Sequence, residues 1–465
     1  MFSRRQFLKG TGAFMTTSML GLSPASESFD SSRKQYAKIR IRNSSSNFER
    51  EPLHPYRFKG SVITECWQAA AYLESESGKA KIGLGTQGIL WSDSKVFHGH
   101  SETGGNALMY AMSERALQLA KGSSFTNPLE LLDELLPQVY AYGQKITNNP
   151  ELRKTFALNS LVCVDNAAWL LYAAENNMDQ FDEMIPEEYK PGLSHRHTKV
   201  ASIPSFSVGT KTDVLKAAAD QGYFIMKLKL GSPGTQQEML EKDKAFLSAV
   251  HKDIGHYKTP YTKNGKIPYY LDPNGRYEEK DTLLRFLDHA KKIGAFDQIA
   301  LIEEPFEEKN DAYVGDLGVT IGADESAHTV EDAAMRIEQG YGAIVLKAIA
   351  KTLSMTLKVS QLAYKKKVPC FCADLTVNPI LVDWNKSVAA RLAPFPNLDI
   401  GLLETNGHQY YKNWDRMMTY HPKAGANWTR TEKGVYVTDK TFYEESGGIF
   451  DASSHYEQLF ENAAK

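Results

Sequence analysis

The chain has 465 residues, of which 42% are hydrophobic and 24% are charged, and its formal net charge is −2. A chain of this length and ordinary composition can bury a large core, and we expect it to form two domains. The near-zero charge gives no indication of nucleic-acid or membrane-surface binding, and no apolar run reaches the roughly 18–20 residues that a membrane-spanning helix requires.

The first residues are predicted to be a targeting segment. Residues 3–9 read SRRQFLK, which closely resembles the twin-arginine export motif. A mildly apolar stretch, residues 10–22, follows, and residues 23–26 form the predicted cleavage region. We therefore expect residues 1–35 to be a twin-arginine signal peptide and linker. The twin-arginine translocase would then be a partner during export, and the mature protein would be periplasmic.

Residues 36–198 are predicted to form an α+β capping domain. The predicted strands are residues 38–42 and 83–87, and the predicted helices are residues 105–120, 127–146 and 157–176. Residues 88–105 and 179–197 look like loops, and they contain the paired histidines His98, His100, His195 and His197. Because no acidic or cysteine partner stands at a fixed spacing from them, surface or substrate-loop roles are favoured over metal binding.

From residue 200 onward an apolar strand, a loop and an amphipathic helix alternate. The predicted strands are residues 200–208, 224–230, 268–272, 298–303, 319–324, 343–349, 368–374 and 398–404. This alternation predicts parallel βα units, and eight of them predict an α/β fold with a modified (β/α)₈ (TIM-like) barrel over residues 199–420. In such barrels the chemistry lies at the carboxyl ends of the strands. Residues 421–465 are expected to pack back on the cap.

The second predicted strand carries two lysines in apolar surroundings. Lys227 and Lys229 are two residues apart, so their side chains share one face of the strand. An ammonium on a buried strand is costly unless carboxylates, a metal-bound anion or a lowered pKa compensate for its burial. This combination suggests an active site.

Charged residues follow at or near the ends of the later strands: Asp272, Glu303, Glu304, Asp324, Glu325, Lys347 and Asp374. A single acid, such as Asp272 in Asp-Pro-Asn-Gly, could be explained as turn or N-cap chemistry. Acids at three successive strand ends, flanked by lysines on the strands at either side, are harder to explain in that way. Three carboxylates at one barrel mouth make a hard oxygen site, which suits Mg²⁺, with Mn²⁺ as an alternative. Such a cation would stabilise the enediolate that forms when a proton leaves the carbon α to a carboxylate, with a lysine as the base.

The motifs resemble those of the enolase superfamily, in its mandelate racemase/muconate lactonizing enzyme branch. In chain order they are Lys227-x-Lys229, Asp272-x-Asn274, Ile302-Glu303-Glu304-Pro305, Ala323-Asp324-Glu325-Ser326 and Val345-Leu346-Lys347. In the cap, residues 164–169 read VDNAAW and are similar to a helix that precedes the barrel in this family. The resemblance covers essentially the whole mature chain.

This resemblance implies a role for each residue of the site. It implies that Asp272, Glu303 and Asp324 bind Mg²⁺, with Glu303 preferred to Glu304 as the first acid of its motif. It implies that Lys229 and Lys347 are the acid/base residues on opposite faces of the substrate. Lys227 would assist Lys229 and contact the substrate carboxylate. The residues expected to support the ligands or contact the substrate are Asn274, Glu325, Asp374 and Glu404.

The expected activity is Mg²⁺-dependent abstraction of an α-proton, with racemisation or epimerisation of a dipeptide or acid derivative as its outcome. A dehydratase, lyase or cycloisomerase acting on a sugar acid or related carboxylate is the alternative, and a periplasmic binding pseudoenzyme is the non-enzymatic one. Asp374 stands where relatives with a His–Asp pair carry histidine, which favours the two-lysine subgroup. The eighth strand ends in Glu404 without an Asp-x-Asp pair, which weakens a dipeptide epimerase assignment. The sequence predicts a small-molecule partner and no nucleic acid, and it leaves the substrate and the oligomeric state open, a homo-oligomer included.

Overall fold

The computed structural model describes residues 36–59 and 61–463. The predicted signal peptide and linker, residues 1–35, lie outside the described residues.

The first part of the described chain, the cap, is an antiparallel sheet covered by helices. Its elements are β1 (Ile39–Phe58), β2 (Ser61–Ser75), β3 (Ala80–Gln87), α1 (Ile89–Ser92), α2 (Ser94–Ala120), β4 (Ser124–Phe125), α3 (Pro128–Ile146), α4 (Lys154–Glu175) and α5 (Phe181–Met184). The strand order is β3-β2-β1-β4, and β1 and β2 pair as a long hairpin. The prediction of only two short strands was wrong here. Because β1 reads IRIRNSSSNFEREPLHPYRF, it has too few apolar residues to show the alternation of a half-buried strand.

Residues 88–105 were predicted to be a loop, and they contain α1 and the beginning of α2 instead. Asp93 separates the two helices, and its side chain accepts hydrogen bonds from the backbone N–H groups of Lys95 and Val96. Helix α2 is kinked at Ser101, where φ is 64°. Glycine and polar residues dominate this stretch, so its sequence lacks the apolar period of a helix.

Helix α4 is the core helix of the cap. It packs directly on β3, because Gly83 and Gly85 leave no Cβ between the strand and the helix: a Cβ at Gly83 would lie 2.1 Å from the backbone nitrogen of Ala167. Among the described helices, α4 alone is long and apolar enough to cross a membrane, although the sequence suggested no such segment. The apolar window of α4 is wholly buried inside the protein, which is the arrangement of a core helix.

The second part of the described chain alternates strands and helices. Its strands are β5 (Lys199–Ile203), β6 (Ser205–Ser207), β7 (Met226–Lys229), β8 (Tyr269–Asp272), β9 (Ile299–Glu303), β10 (Ile321–Ala323), β11 (Ala343–Leu346), β12 (Cys370–Cys372), β13 (Gly401–Glu404) and β14 (Val435–Val437). Its helices are α6 (Thr212–Asp220), α7 (Gln236–Ile254), α8 (Lys280–Lys292), α9 (Val330–Glu338), α10 (Ala348–Lys351), α11 (Leu353–Lys366), α12 (Pro379–Ala389), α13 (Gly407–Tyr410), α14 (Trp414–Met418), α15 (Lys440–Glu444) and α16 (Ser454–Ala463).

These strands close into a ring. From β6 to β13 each strand pairs in parallel with the next, and β13 pairs in parallel with β5. Only Pro204 separates β5 from β6, so the predicted first strand is one strand interrupted by a proline. Proline has no N–H to offer the ladder, but its carbonyl accepts a hydrogen bond of 2.9 Å from the backbone of Lys227. The predicted fold class, an α/β (β/α)₈-type barrel with an N-terminal α+β cap, is confirmed.

The C-terminal segment contacts both parts of the chain. Strand β14 pairs antiparallel with β5 of the barrel. Helix α16 lies against the cap, where Asn47 Nδ2 donates a hydrogen bond of 2.9 Å to the backbone oxygen of Leu459. The rings of Tyr72 and Phe460 also meet there, with centroids 5.8 Å apart.

Candidate active site

The carboxyl ends of the barrel strands and the cap enclose a small cavity, the inner cavity, of about 50 Å³. The barrel contributes Lys227, Lys229 and Lys347 to its wall, and the cap contributes Tyr56, Trp91 and Phe97. The predicted acid/base lysines therefore face one space.

Lys227 is the most deeply enclosed of these lysines and is held by three carboxylates. Its Nζ lies 2.9 Å from Asp272 Oδ2, 3.0 Å from Glu303 Oε1 and 2.9 Å from Glu404 Oε2. Burial alone would lower the pKa of Lys227, but the charges of Asp272 and Glu303 outweigh burial and raise it well above the ordinary value. Lys227 is therefore a permanent cation that neutralises its neighbours.

Lys229, the last residue of β7, lies nearer the mouth. Its Nζ donates hydrogen bonds to Asp272 Oδ2 at 2.5 Å and to Asn274 Oδ1 at 3.1 Å. Burial would raise the pKa of Asp272, but Lys227 and Lys229 reverse the effect and lower it. Asp272 is thus ionised and shared between two lysines.

Lys347 follows β11 and reaches the cavity from another side. Its Nζ donates to Asp324 Oδ2 at 2.6 Å and lies 4.5 Å from the ring centroid of Trp91. The indole Nε1 of Trp91 donates to the same Asp324 oxygen at 3.2 Å. Burial would lower the pKa of Lys347, but the attraction of Asp324 raises it. Lys351 donates to the backbone oxygens of Asp324 at 2.5 Å and Ala327 at 3.0 Å, so it braces the segment that carries Asp324.

The adjacent acids Glu303 and Glu304 have different surroundings. Glu303 faces Lys227, whereas Glu304 Oε2 accepts hydrogen bonds from the backbone N–H of Asp324 at 2.7 Å and from Ser326 Oγ at 3.0 Å. Glu304 has φ of 40°, in the left-handed region that costs a non-glycine residue energy. Burial and the charge of Asp324 raise the pKa of Glu303, although Lys227 opposes them.

Glu325 forms a link between the cap and the barrel. Its Oε1 lies 2.9 Å from the Nζ of Lys59, at the tip of the β1–β2 hairpin, and accepts a hydrogen bond of 3.2 Å from Asn274 Nδ2. Burial would raise the pKa of Glu325, but Lys59 lowers it. Lys59 also donates to the backbone oxygen of Trp91 at 3.3 Å.

An acidic cluster suitable for a metal ion lies at the ends of β9 and β10. Glu303, Asp324 and Glu325 each offer an oxygen, and these oxygens lie within 4.8 Å of one another. Among the described residues, Asp324 Oδ1 and Glu325 Oε2 are buried without a hydrogen-bond partner, although Asp324 Oδ1 lies 3.4 Å from Lys351 Nζ. Buried carboxylate oxygens that lack hydrogen bonds are costly, and a hard cation would satisfy them, so these residues fit a divalent ion. The sequence-based ligand set named Asp272 as the third acid, whereas this cluster contains Glu325.

Asp374 and Glu404 also line the inner cavity. Asp374 accepts hydrogen bonds from the backbone N–H groups of Asn406 at 2.7 Å and Leu375 at 2.7 Å, so it organises the loops after β12 and β13. Burial and the charge of Glu404 raise the pKa of Asp374 to about 6.

His98 and His100 lie in α2 rather than in a loop, and none of the four predicted cap histidines belongs to the acidic cluster among the described residues. His98 Nε2 is 2.7 Å from Ser61 Oγ, His100 Nε2 is 3.0 Å from Thr147 O, and His197 Nε2 is 3.0 Å from Leu392 O. The ring of His195 lies 4.1 Å from that of His197.

Sequence reasoning missed two functional-site residues, Trp91 and Lys59. Both belong to cap segments whose secondary structure was not recognised, and neither lies in a motif of spaced polar residues. The pairing of the β1–β2 hairpin is what brings Lys59 to the barrel mouth.

Comparisons with known proteins agree with this fold. Residues 210–423 match the family model described as enolase C-terminal domain-like. A mandelate racemase/muconate lactonizing protein from Herpetosiphon aurantiacus is 14% identical, with a TM-score of 0.60 over 85% of this chain and 95% of that chain. A dipeptide epimerase from Enterococcus faecalis V583, complexed with Mg and the dipeptide L-Leu-L-Tyr, is 18% identical, with a TM-score of 0.56 over 80% of this chain and 92% of that chain. The L-Ala-D/L-Glu epimerase from Bacillus subtilis is 15% identical, with a TM-score of 0.58 over 80% and 91% of the two chains. The comparison with curated proteins gives no match.

Proposed function

Residues 210–423 match the enolase C-terminal domain-like family model, and from this match we propose that the chain is an enolase-superfamily isomerase that removes and returns a proton α to a substrate carboxylate. The expected outcome is racemisation or epimerisation of a dipeptide or acid derivative. The observation that carries the proposal is the placement of Lys229 and Lys347. Lys229 is the last residue of β7 and Lys347 directly follows β11; these strands are separated by three strands on either side of the eight-stranded ring, and both lysines line the inner cavity. Two bases on opposite sides of one carbon are what a 1,1-proton transfer requires.

The lysines need a change in their surroundings before they act as bases. In the described contacts each is bound to a carboxylate, Lys229 to Asp272 and Lys347 to Asp324. A bound Mg²⁺ would supply positive charge that competes for these carboxylates and stabilises the anion formed when the α-proton leaves. Lys229 and Lys347 would then exchange protons with the α-carbon from opposite faces, while the ammonium of Lys227 stays charged and attracts the substrate carboxylate.

Two acids are common to the sequence-based ligand set and the acidic cluster: Glu303 and Asp324. The resemblance supplies Asp272 as the third ligand, and the geometry supplies Glu325. Calorimetric titration of the variants Asp272→Asn and Glu325→Gln with Mg²⁺ distinguishes these two candidates for the third ligand. The true ligand is the acid whose replacement weakens binding the more.

The activity is tested by incubating the mature protein with Mg²⁺ in D₂O and with both enantiomers of a library of dipeptides and α-substituted acids. We expect deuterium at the α-carbon. Lys229→Ala and Lys347→Ala should each lower turnover by at least about a hundredfold, as for other acid/base residues, and should still bind Mg²⁺. Lys365→Ala, at an exposed lysine of α11, is the matched control and should retain turnover.

Three outcomes would contradict the proposal. Near-normal exchange in Lys229→Ala or Lys347→Ala would remove that lysine from the mechanism. If ligands bind but none takes up deuterium or turns over, the protein is a binding pseudoenzyme. If the product is an alkene or a cyclised acid instead of the opposite enantiomer, the lyase or cycloisomerase alternative holds.

We also propose that the protein is exported to the periplasm by the twin-arginine route. The support for this is the SRRQFLK motif at residues 3–9. Replacing Arg4 and Arg5 together by lysine should leave the precursor in the cytoplasm of a bacterial host, whereas the unaltered chain should appear in the periplasmic fraction. Equal periplasmic amounts of both chains would contradict the assignment.

A further inference from the structure

A second, larger space lies beside the inner cavity, between the cap and the barrel mouth. This space, the outer cleft, has a volume of about 630 Å³. The inner cavity, at about 50 Å³, holds no more than a few water molecules, so only the reacting end of a substrate fits there. Any larger substrate must extend beyond it.

One layer of side chains separates the two spaces. Lys229 lines the inner cavity, and Asn274, Glu325 and Lys59 line the outer cleft. They form a chain of contacts: Lys229 Nζ to Asn274 Oδ1 at 3.1 Å, Asn274 Nδ2 to Glu325 Oε1 at 3.2 Å, and Glu325 Oε1 to Lys59 Nζ at 2.9 Å. These contacts leave a single layer of side chains between the lysine at the reacting centre and the outer cleft.

Most cations that line the outer cleft are already paired with an acid. The pairs are Lys59–Glu325 at 2.9 Å, Lys95–Glu151 at 2.9 Å, Arg153–Glu308 at 3.2 Å, Lys154–Asp332 at 3.6 Å and Lys309–Glu151 at 3.7 Å. Arg276 is different, because among the described residues no acid lies within ion-pair distance of it. Its Nε is buried and has no hydrogen-bond partner in the described part of the chain. The positive charge of Arg276 acts to lower the pKa of Asp243, but the two side chains form no ion pair among the described contacts.

The position of Arg276 is fixed although its head group is unpaired. Its backbone N–H donates to Pro273 O at 3.2 Å, and its carbonyl accepts from Gln236 Nε2 at 2.9 Å. Its side-chain stem packs against Gly231, where an added Cβ would lie 2.6 Å from Arg276 Cβ. The residue stands two positions after Asn274, so the turn that places Asn274 beside Lys229 also places the guanidinium in the outer cleft. An arginine whose backbone and Cβ are held in place, and whose guanidinium has no acidic partner among the described residues, is suited to a carboxylate, which it can bind with two parallel hydrogen bonds.

We propose that the outer cleft binds the part of the substrate remote from the reacting carbon, and that Arg276 binds a carboxylate there. This inference rests on the proposed function and narrows its substrate class to α-substituted carboxylates that carry a second, distal carboxylate. Binding energy from such a remote group can position the α-carbon between Lys229 and Lys347.

The test uses matched substrate pairs that differ only in the distal group: L-Ala-L-Glu against L-Ala-L-Gln, and N-acetyl-L-glutamate against N-acetyl-L-glutamine. The distal carboxylate should raise kcat/KM for α-proton exchange by about ten- to a hundredfold, the effect of a hydrogen-bonded charged group. Arg276→Gln should abolish this preference and slow only the acidic member of each pair. Arg276→Lys should keep part of it. Arg285→Gln, at an exposed arginine of α8, is the control and should leave the preference unchanged.

A binding measurement separates this inference from the proposed function. Calorimetry with glutarate, a dicarboxylate without a reacting α-substituent, should show binding to the wild type and at least tenfold weaker binding to Arg276→Gln. If no substrate exchanges deuterium but glutarate still discriminates between the two proteins, the proposed reaction is wrong and the Arg276 site holds. If glutarate binds both proteins equally, or if Arg276→Gln retains the preference for acidic substrates, the Arg276 site is overturned.

Discussion

Replacing Trp91 by phenylalanine should impair one of the two lysines selectively. In the wild type the indole Nε1 donates to Asp324 Oδ2, the same oxygen that receives the hydrogen bond of Lys347, and the ring lies over the Lys347 ammonium. Phenylalanine keeps an aromatic face but removes the donor. Lys347 then becomes the sole side-chain donor to that oxygen in the described contacts. Asp324 therefore binds the Lys347 ammonium more strongly, and Lys347 gives up its proton less readily.

The magnitude follows from the contact that is lost. A hydrogen bond to a charged group contributes about 1.5–3 kcal/mol, and the 3.2 Å separation of Trp91 Nε1 and Asp324 Oδ2 is at the long end of such bonds. We therefore expect a loss of about 1.5–2 kcal/mol, which corresponds to about a ten- to thirtyfold slower proton transfer by Lys347. The described contacts join Trp91 to no atom of Lys229, so proton transfer on that side should change much less.

Deuterium exchange from separate enantiomers measures the two lysines independently. Each enantiomer is incubated in D₂O, and the loss of the α-proton signal is followed by NMR before the opposite enantiomer accumulates. Trp91→Phe should slow exchange from the enantiomer that Lys347 deprotonates and leave the other nearly unchanged. Phe97→Leu alters the wall of the same cavity without touching Asp324, and it should not separate the two rates. Equal slowing of both enantiomers by Trp91→Phe would refute the reasoning, since Trp91 would then act through the shape of the cavity.

Two further predictions concern stability. Ser354→Ala removes a buried hydroxyl that donates to Asp165 and accepts from Trp169, which joins α4 to α11, so the free energy of unfolding should fall by about 1.5–3 kcal/mol. Ser194→Ala, at an exposed serine, should change it by less than about 0.5 kcal/mol, and urea titrations that show equal losses would exclude this bracing role. Burial raises the pKa of Asp243 to about 6. The folded state therefore binds the proton of the Asp243 carboxyl more tightly than the unfolded state does. The stability that results is present below about pH 4 and is lost as the pH rises through 6. Between pH 4 and 7.5 the wild type should therefore lose about 2–2.5 kcal/mol relative to Asp243→Asn, and parallel pH profiles of the two proteins would contradict this assignment.

The barrel and the strand-end residues could be predicted because each depends on a short stretch of sequence. A parallel strand is a run of buried residues followed by a polar loop, and parallel strands bring their carboxyl ends to one side. For this reason Asp272, Glu303 and Asp324, which are far apart in sequence, meet at one mouth. The same reasoning placed Lys227 and Lys229 on a common face of β7.

The cap contribution could not be predicted in this way. Strand β1 is long and polar, and its partner β2 was not recognised, so the hairpin tip that carries Lys59 had no predicted position. Helix α1 has only four residues, too few to show a period, and it is the element that aims Trp91 at Asp324. Both residues act through contacts between segments distant in the chain, which a local pattern does not record.

The two lysines of β7 lie at different depths in the barrel, and this difference gives them different surroundings. They point to the same face, yet the side chain of Lys227 is 1% exposed and that of Lys229 is 10% exposed. Lys227 lies one step deeper and is surrounded by Asp272, Glu303 and Glu404, so the loss of its proton would leave three carboxylates without their shared counter-ion. Lys229, at the end of the strand, contacts Asp272 and Asn274, and its side chain is the more exposed of the two. Position along the strand therefore favours Lys229 as the acid/base and Lys227 as the fixed positive charge.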